Sequence, residues 1–317
     1  MNRRPIGPRT PGSLTPGSLA LLALVFGAAS CSKPGSEGPI QTGRTDTLRV
    51  LVTDALAPLA EEHAREFMQR NDYGDVEVVR STTRGALVAL LADSATLAYA
   101  DRPLNAEEQG KADLRGGARL PLRSTRIASG ALVAVVHPSN GLAAVTRERL
   151  AGLVRGQASG WGAGGPAGAV QLAVTGVNSG TYELAARTFF PGAAPLAPAS
   201  VGATEADVLR FVAARPNALG LVSLGALHDS LIARGAVRTL AVSDSGRPAV
   251  VPSPLAVYRG TYPLRHAVYA YHTGPLGSLE GRFAAFAADR RGQTLVQRFG
   301  LVPATIPART IDLVPDV

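Results

Sequence analysis

Short apolar runs alternate along the chain with stretches whose apolar positions recur every three to four residues, and the apolar runs end at short polar loops. Residues 47–52 form the first such run and predict a buried strand; Thr53, Asp54 and Ala55 follow as a small polar loop, and 58–70 carry a helical pattern. The unit recurs with a strand over 75–79, a loop at Ser81, Thr82 and Thr83, and a helix over 85–92. A third strand, 96–100, ends at Asp101, Arg102 and Pro103. Further on, 127–137 predict a long apolar strand, 146–154 a helix, 160–162 a turn around Trp161, and 170–174 a strand running into the loop Gly176-Val177-Asn178-Ser179-Gly180-Thr181. A helix continues from that loop through Phe190. The remaining pattern predicts a helix over 204–214, strands over 219–222 and 268–272, and one terminal helix over 280–299. Such alternation predicts an α/β fold with mostly parallel sheets flanked by helices. Ligands of open α/β sheets sit beyond the carboxyl ends of the strands, where helix N-termini offer free N–H groups. The loops after the first, second and third strands are therefore candidates for one site.

The first thirty residues follow a different pattern. Arg3, Arg4 and Arg9 precede an uncharged apolar run over 19–29, and small residues lead into Cys31. The run is too short to span a bilayer, so 1–30 read as a signal peptide and the chain is expected to be exported. Ala28-Ala29-Ser30-Cys31 resembles the lipobox of bacterial lipoproteins, which implies diacylation of Cys31 as a membrane anchor. Residues 31–46, rich in Gly, Pro and Ser, read as a flexible tether. With 46% apolar and 18% charged residues, the 317-residue chain is globular and long enough for two domains. A single cysteine excludes an intramolecular disulfide framework and any Cys-rich metal site. The net charge of +8 comes almost wholly from dispersed arginines, Lys33 and Lys111 being the two lysines. No basic run or aromatic-interleaved basic patch accompanies it, so nucleic acid is not an expected partner.

Other chemical motifs fall away on inspection. Gly160-x-Gly162-x-x-Gly165 has dinucleotide-binding spacing but neither the preceding strand nor the following helix that this chemistry needs. His63, His137, His228, His266 and His272 are isolated from acid partners at ligand spacing, so no metal or other cofactor is expected. Ser179 lacks the flanking glycines of a nucleophile elbow and a base to activate it, which argues against a hydrolase. Ser179-Gly180-Thr181 at a helix start offers two hydroxyls, adjacent N–H groups and close backbone approach. That suits a tetrahedral oxyanion, and it equally suits an ordinary serine N-cap.

Several stretches carry a family resemblance. They are Ala100-Asp101-Arg102-Pro103-Leu104, the stretch 127–140, 150–156 with Trp161, Asn178-Ser179-Gly180-Thr181, and Arg215-Pro216-Asn217-Ala218-Leu219-Gly220. Tyr262-Pro263-Leu264 with His266 and Tyr269, Gly292-Gln293 and 300–303 follow in the same order. Together they resemble the phosphate-binding lipoproteins of bacterial ABC importers, within the periplasmic binding protein type 2 superfamily. The resemblance implies two α/β lobes, 47–131 with 262–317 and 132–261, joined by crossing strands near Ala131 and Tyr262, with the anion in the cleft between them. It implies a monomeric, extracytoplasmic binding protein, not an enzyme, that delivers inorganic phosphate or a similar oxyanion to an ABC permease in the inner membrane.

Carried over by position, the implied ligand-binding residues are Asp54, Ala55, Thr82, Asp101, Ser179, Gly180 and Thr181. The carboxylate would accept a proton from hydrogen phosphate and repel sulfate, which has none to give. Two positions depart from the pattern. The family arginine falls on Thr175, and the hydroxyl position of the first loop falls on Asp54, so the site loses positive charge. Arg84 and Arg102 are candidates to replace that charge, with Thr83 and Asn178 as further contacts. The alternatives are the same fold holding another oxyanion or a small polar solute, and a surface lipoprotein whose degenerate cleft serves a sensory or interaction role.

Overall fold

A computed structural model describes residues 47–305 apart from 115–120, 159, 191–197 and 229. The signal peptide, Cys31 and the tether lie outside the described residues. The strands are β1 (Thr47–Val52), β2 (Asp75–Arg80), β3 (Leu97–Ala100), β4 (Arg123–Val136), β5 (Ala144–Thr146), β6 (Gln171–Thr175), β7 (Ser200–Gly202), β8 (Ala218–Ser223), β9 (Arg238–Thr239), β10 (Ala241–Ser243), β11 (Arg265–His272) and β12 (Val302–Pro303). The helices are α1 (Ala57–Arg70), α2 (Thr83–Leu91), α3 (Ala106–Asp113), α4 (Arg147–Val154), α5 (Gly180–Phe189), α6 (Glu205–Ala213), α7 (Ser230–Ala233), α8 (Pro254–Tyr258), α9 (Leu279–Ala288) and α10 (Arg290–Arg298).

The main sheet runs β2-β1-β3-β11-β4-β8-β6-β7, with β9 and β12 pairing β4 off that path; β5 and β10 form a separate parallel pair. At one end β1 pairs β2 and β3 in parallel, and at the other β6 pairs β7 and β8 in parallel. The antiparallel pairings lie in the middle. Between Arg123 and Ala131, β4 pairs β11, and from Leu132 to Val136 it pairs β8. One strand thus changes partner along its length and carries both halves of the sheet. Its residues Ile127–Val136 are all buried, as are all six of β8, which is why these strands read as continuous apolar runs with no alternation.

Helix α1 shows how the flanking layer is specified. Pro58 stands at its start, where a missing N–H costs nothing, and Ala57, Leu59, Ala60, His63, Ala64 and Phe67 form its buried stripe. Phe67 meets Phe283 and Phe286 of α9 edge to face, at ring distances of 5.3 and 5.6 Å. Trp161 is buried and its indole N–H donates to the Asn217 carbonyl at 3.3 Å, tying the loop after α4 to the start of β8.

Three expectations need correction. The terminal helix is two helices, because the Asp289 carboxylate accepts from the N–H groups of Arg291 and Gly292 at 2.7 and 2.8 Å and caps a new start. Helix α3 was not expected. β4 begins four residues earlier than its apolar run, since antiparallel pairing with β11 carries its polar start.

Candidate functional site

The loops at the carboxyl ends of β1, β2, β3 and β6 and the start of α6 converge on one cavity of about 270 Å³. Its walls are Thr53, Asp54, Ala55, Arg80, Ser81, Thr82, Asp101, Thr175, Ser179, Gly180, Thr181, Ala203, Thr204 and Glu205. All seven positions carried over from the resemblance, Asp54, Ala55, Thr82, Asp101, Ser179, Gly180 and Thr181, face it. The walls come from both halves of the sheet, those of β1 to β3 and those of β6 to β8.

Two helices start at the cavity. Thr82 caps α2, its hydroxyl oxygen accepting from the Gly85 N–H at 3.1 Å, and Ser179 caps α5, accepting from the Tyr182 N–H at 3.1 Å. Capping uses lone pairs and leaves each hydroxyl proton available. The Ser179 hydroxyl also lies in close hydrogen-bond contact with Thr175 Oγ1. Among the described residues, the N–H groups of Gly180 and Thr181 have no protein acceptor. They stand at the positive end of the α5 dipole, an arrangement suited to an anion.

Asp101 closes the cavity against this helix start. It is 3% exposed and accepts from Thr83 Oγ1 at 3.0 Å. A Cβ on Gly180 would overlap its carboxylate, so glycine is what allows the close approach. Burial pushes the Asp101 carboxyl above the ordinary carboxylate range, against the opposing pull of the Thr83 hydroxyl, its own backbone N–H and Arg102.

Glu205 was missed by the sequence reading. Its Oε1 accepts from Thr181 Oγ1 at 2.7 Å and the Ser223 N–H at 2.8 Å, and its Oε2 accepts from Ser223 Oγ at 2.7 Å. Burial raises its pKa, with the Asp101 charge adding to the rise and the hydroxyl and N–H bonds opposing it. Nothing in its local sequence marks it, because a glutamate at a helix start is normal dipole chemistry. Arg80 was also missed: the strand was read as ending at Val79. Its guanidinium donates to Asp54 at 2.8 Å and to Glu61 at 3.2 Å. Thr53 was assigned to the loop, with the hydroxyl role left on its neighbour Asp54. Its Oγ1 is buried at the cavity wall without a hydrogen-bond partner, so a one-residue shift returns a hydroxyl to the first loop.

The four further contacts do not line the cavity. Arg102 is 3% exposed and forms a two-pronged pair with Glu108, at 2.7 and 2.9 Å, and a second ion pair with Glu183 of α5. Its charge is satisfied away from the cavity, so it does not replace the absent family arginine. Arg84 borders a separate surface pocket with Glu107, Glu108 and Lys111, its backbone N–H donating to the Asn178 carbonyl at 3.2 Å. Asn178 offers that carbonyl to α2, and Thr83 supports Asp101 from behind. The arginine that does line the wall is Arg80, which is paired to Asp54.

Comparison with known proteins agrees with this architecture. A family profile described as a PBP superfamily domain matches residues 38–290. Protein SphX of Synechococcus elongatus is 26% identical over 286 residues, covering 86% of this chain and 82% of its own. A crystal structure of a phosphate ABC transporter substrate-binding protein from Clostridium perfringens, with phosphate bound, superposes with a TM-score of 0.69 at 17% identity, covering 82% of this chain and 100% of its own. An ABC-type phosphate transport receptor from Vibrio cholerae superposes with a TM-score of 0.65 at 19% identity, covering 81% of this chain and 100% of its own.

Proposed function

Because the chain belongs to the PBP superfamily, we propose that it is an extracytoplasmic solute-binding protein that captures a tetrahedral oxyanion, phosphate, and delivers it to an ABC permease. It binds and carries; it is not an enzyme. The observation that carries the reading is the cavity wall at Asp101 and Gly180, where a buried carboxylate faces acceptor-free helix N–H groups across a glycine. The N–H groups of Gly180 and Thr181 and the hydroxyls of Thr53, Thr82 and Ser179 donate to phosphate oxygens, and Asp101 accepts the proton of hydrogen phosphate. Phosphate named in the Clostridium perfringens structure and phosphate transport in the Vibrio cholerae one support the same ligand class.

We read 47–131 with 262–317 as one lobe and 132–261 as the other, residues 306–317 lying outside the described ones; the change of partner along β4 between Ala131 and Leu132 supports the boundary there. The N-terminal pattern supports export and anchoring through Cys31, and the described residues contain no helix long and apolar enough to cross a membrane. The working form is a monomer.

A second reading, a small polar solute that carries its own donors, is favoured by the three carboxylates at the wall, Asp54, Asp101 and Glu205, against one arginine. Titration calorimetry of the purified protein, freed of bound anion, separates the two. Phosphate binding at micromolar affinity or tighter with no sulfate heat supports the oxyanion; heat with neither anion favours the polar solute.

A further inference from the structure

We infer that Glu205 couples anion capture to proton uptake by setting which way the Thr181 hydroxyl donates. This rests on the phosphate reading and adds a positioning residue that acts on the anion through another side chain. A threonine hydroxyl has one proton to give. While Glu205 is ionised, that proton points at Oε1, 2.7 Å away, and Thr181 turns only lone pairs toward the cavity. Lone pairs repel the oxygen of an anion.

Protonation of Glu205 reverses the bond. A proton taken from solvent sits on the carboxyl, which then donates to Thr181 Oγ1; Thr181 keeps its own proton and rotates it toward the anion. No covalent bond to the ligand forms, and the complex gains one proton over the free protein. The carboxyl itself does not move, because the Ser223 N–H and hydroxyl hold it from the end of β8 at 2.8 and 2.7 Å.

The surroundings favour this exchange. Glu205 is faced by the Thr181 hydroxyl from α5 and the two Ser223 donors from β8, with the Asp101 carboxylate acting on it across the cavity. The remaining wall charges, Arg80 and Asp54, are paired to each other. Among the described residues no cation pairs with Glu205. An arriving phosphate brings negative charge into a space that holds two carboxylates, Asp101 and Glu205, not paired to an arginine of the wall, and neutralising one of them removes a like-charge repulsion that the partly buried site screens poorly. Burial already raises the Glu205 pKa, so the proton is taken up more readily than by an exposed glutamate.

The test is titration of phosphate into wild-type protein and Glu205→Gln between pH 5 and 8, in buffers of differing ionisation enthalpy. Protons exchanged by phosphate itself are common to both proteins. The wild type is expected to take up as much as one more proton than the variant, so the ratio of variant to wild-type affinity rises with pH, approaching ~10-fold per pH unit. Difference infrared spectra of the wild type alone should show a carboxylic-acid carbonyl band appearing on phosphate addition, a readout that stands even if the variant does not fold. Phosphate binding with equal proton uptake in both proteins and no such band would overturn the coupling and leave the phosphate reading intact. Absence of phosphate heat at every pH would overturn that reading and the coupling together.

Discussion

An alanine at residue 180 would ordinarily favour a helix, since glycine is about 1 kcal/mol the poorer helix former. Here its methyl group would overlap the Asp101 carboxylate, which is held from behind by Thr83 and has little room to yield. Overpacking of this kind costs ~1–3 kcal/mol. Gly180→Ala is therefore expected to weaken phosphate binding more than ~10-fold, about 1.4 kcal/mol, by calorimetry; unchanged affinity would place the anion elsewhere. Asp101→Asn tests the other side of this contact. The amide offers a donor where the carboxylate offered only acceptors, so phosphate should weaken and sulfate gain relative to it, measured as the ratio of the two dissociation constants. Equal weakening of both anions would remove the proton-reading role. The polar loops that hold Asp101 and Ser179-Gly180-Thr181 were legible in the sequence because a polar stretch after an apolar strand is a local feature, and the family resemblance then pointed to these residues within them. Glu205 was not, because only the fold brings it to Thr181, 24 residues earlier in the chain. Arg80 was obscured because β2 was read as ending one residue early, and Thr53 because the hydroxyl position carried over from the resemblance fell on its neighbour Asp54.

Elements that carry the site are tied together by charge as well as by sheet. Arg102, in the loop after β3, pairs with Glu108 of α3 and Glu183 of α5 while almost fully buried. Removing it would leave two acidic groups without their cation in a poorly hydrated place, and breaking a buried pair in this way costs ~3–5 kcal/mol. Arg102→Ala should thus lower the urea midpoint by an amount consistent with that loss, whereas Lys111→Ala, which breaks the exposed pair with Glu107, should barely move it when measured in the same way. Comparable losses for both would mean that Arg102 is hydrated in solution. The alternating strands and helices were legible because apolar period is a property of a single segment. Helix α3 lacks that period: among its residues only Glu108 is buried, and the helix is set by the reciprocal Asn105 and Glu108 cap and by Arg102. The split at Asp289 was hidden for a related reason. A capping aspartate inside a continuous helical pattern acquires its meaning only when the chain turns there.

For the molecule as a whole, the basic balance of the sequence contrasts with the acidic wall of its cavity, and stability should respond to pH through groups far from that wall. His63 is buried among α1, β3 and α10, with its ring nitrogens 3.0 Å from the Tyr99 hydroxyl and 3.0 Å from the Gly292 carbonyl. Burial lowers its pKa from 6.5 to about 4, opposed by the Gly292 carbonyl and by Asp289 and Glu62. The folded protein therefore resists a proton that the unfolded chain accepts. Stability from this group is complete above pH 6.5 and is lost as pH falls toward 4, by as much as about 3 kcal/mol. Asp101 and Glu205 act with the opposite sign: their raised pKa values penalise the ionised folded state, and that penalty is relieved as pH falls through those values. A wild-type curve alone mixes the two effects. The difference between wild type and His63→Gln isolates the histidine, because the amide can still bond both partners and does not titrate. Urea unfolding at intervals from pH 7 to 4 should show the wild type losing its advantage over the variant as the acid limit is approached. A difference that stays constant over that range would mean that His63 is not held neutral by the core.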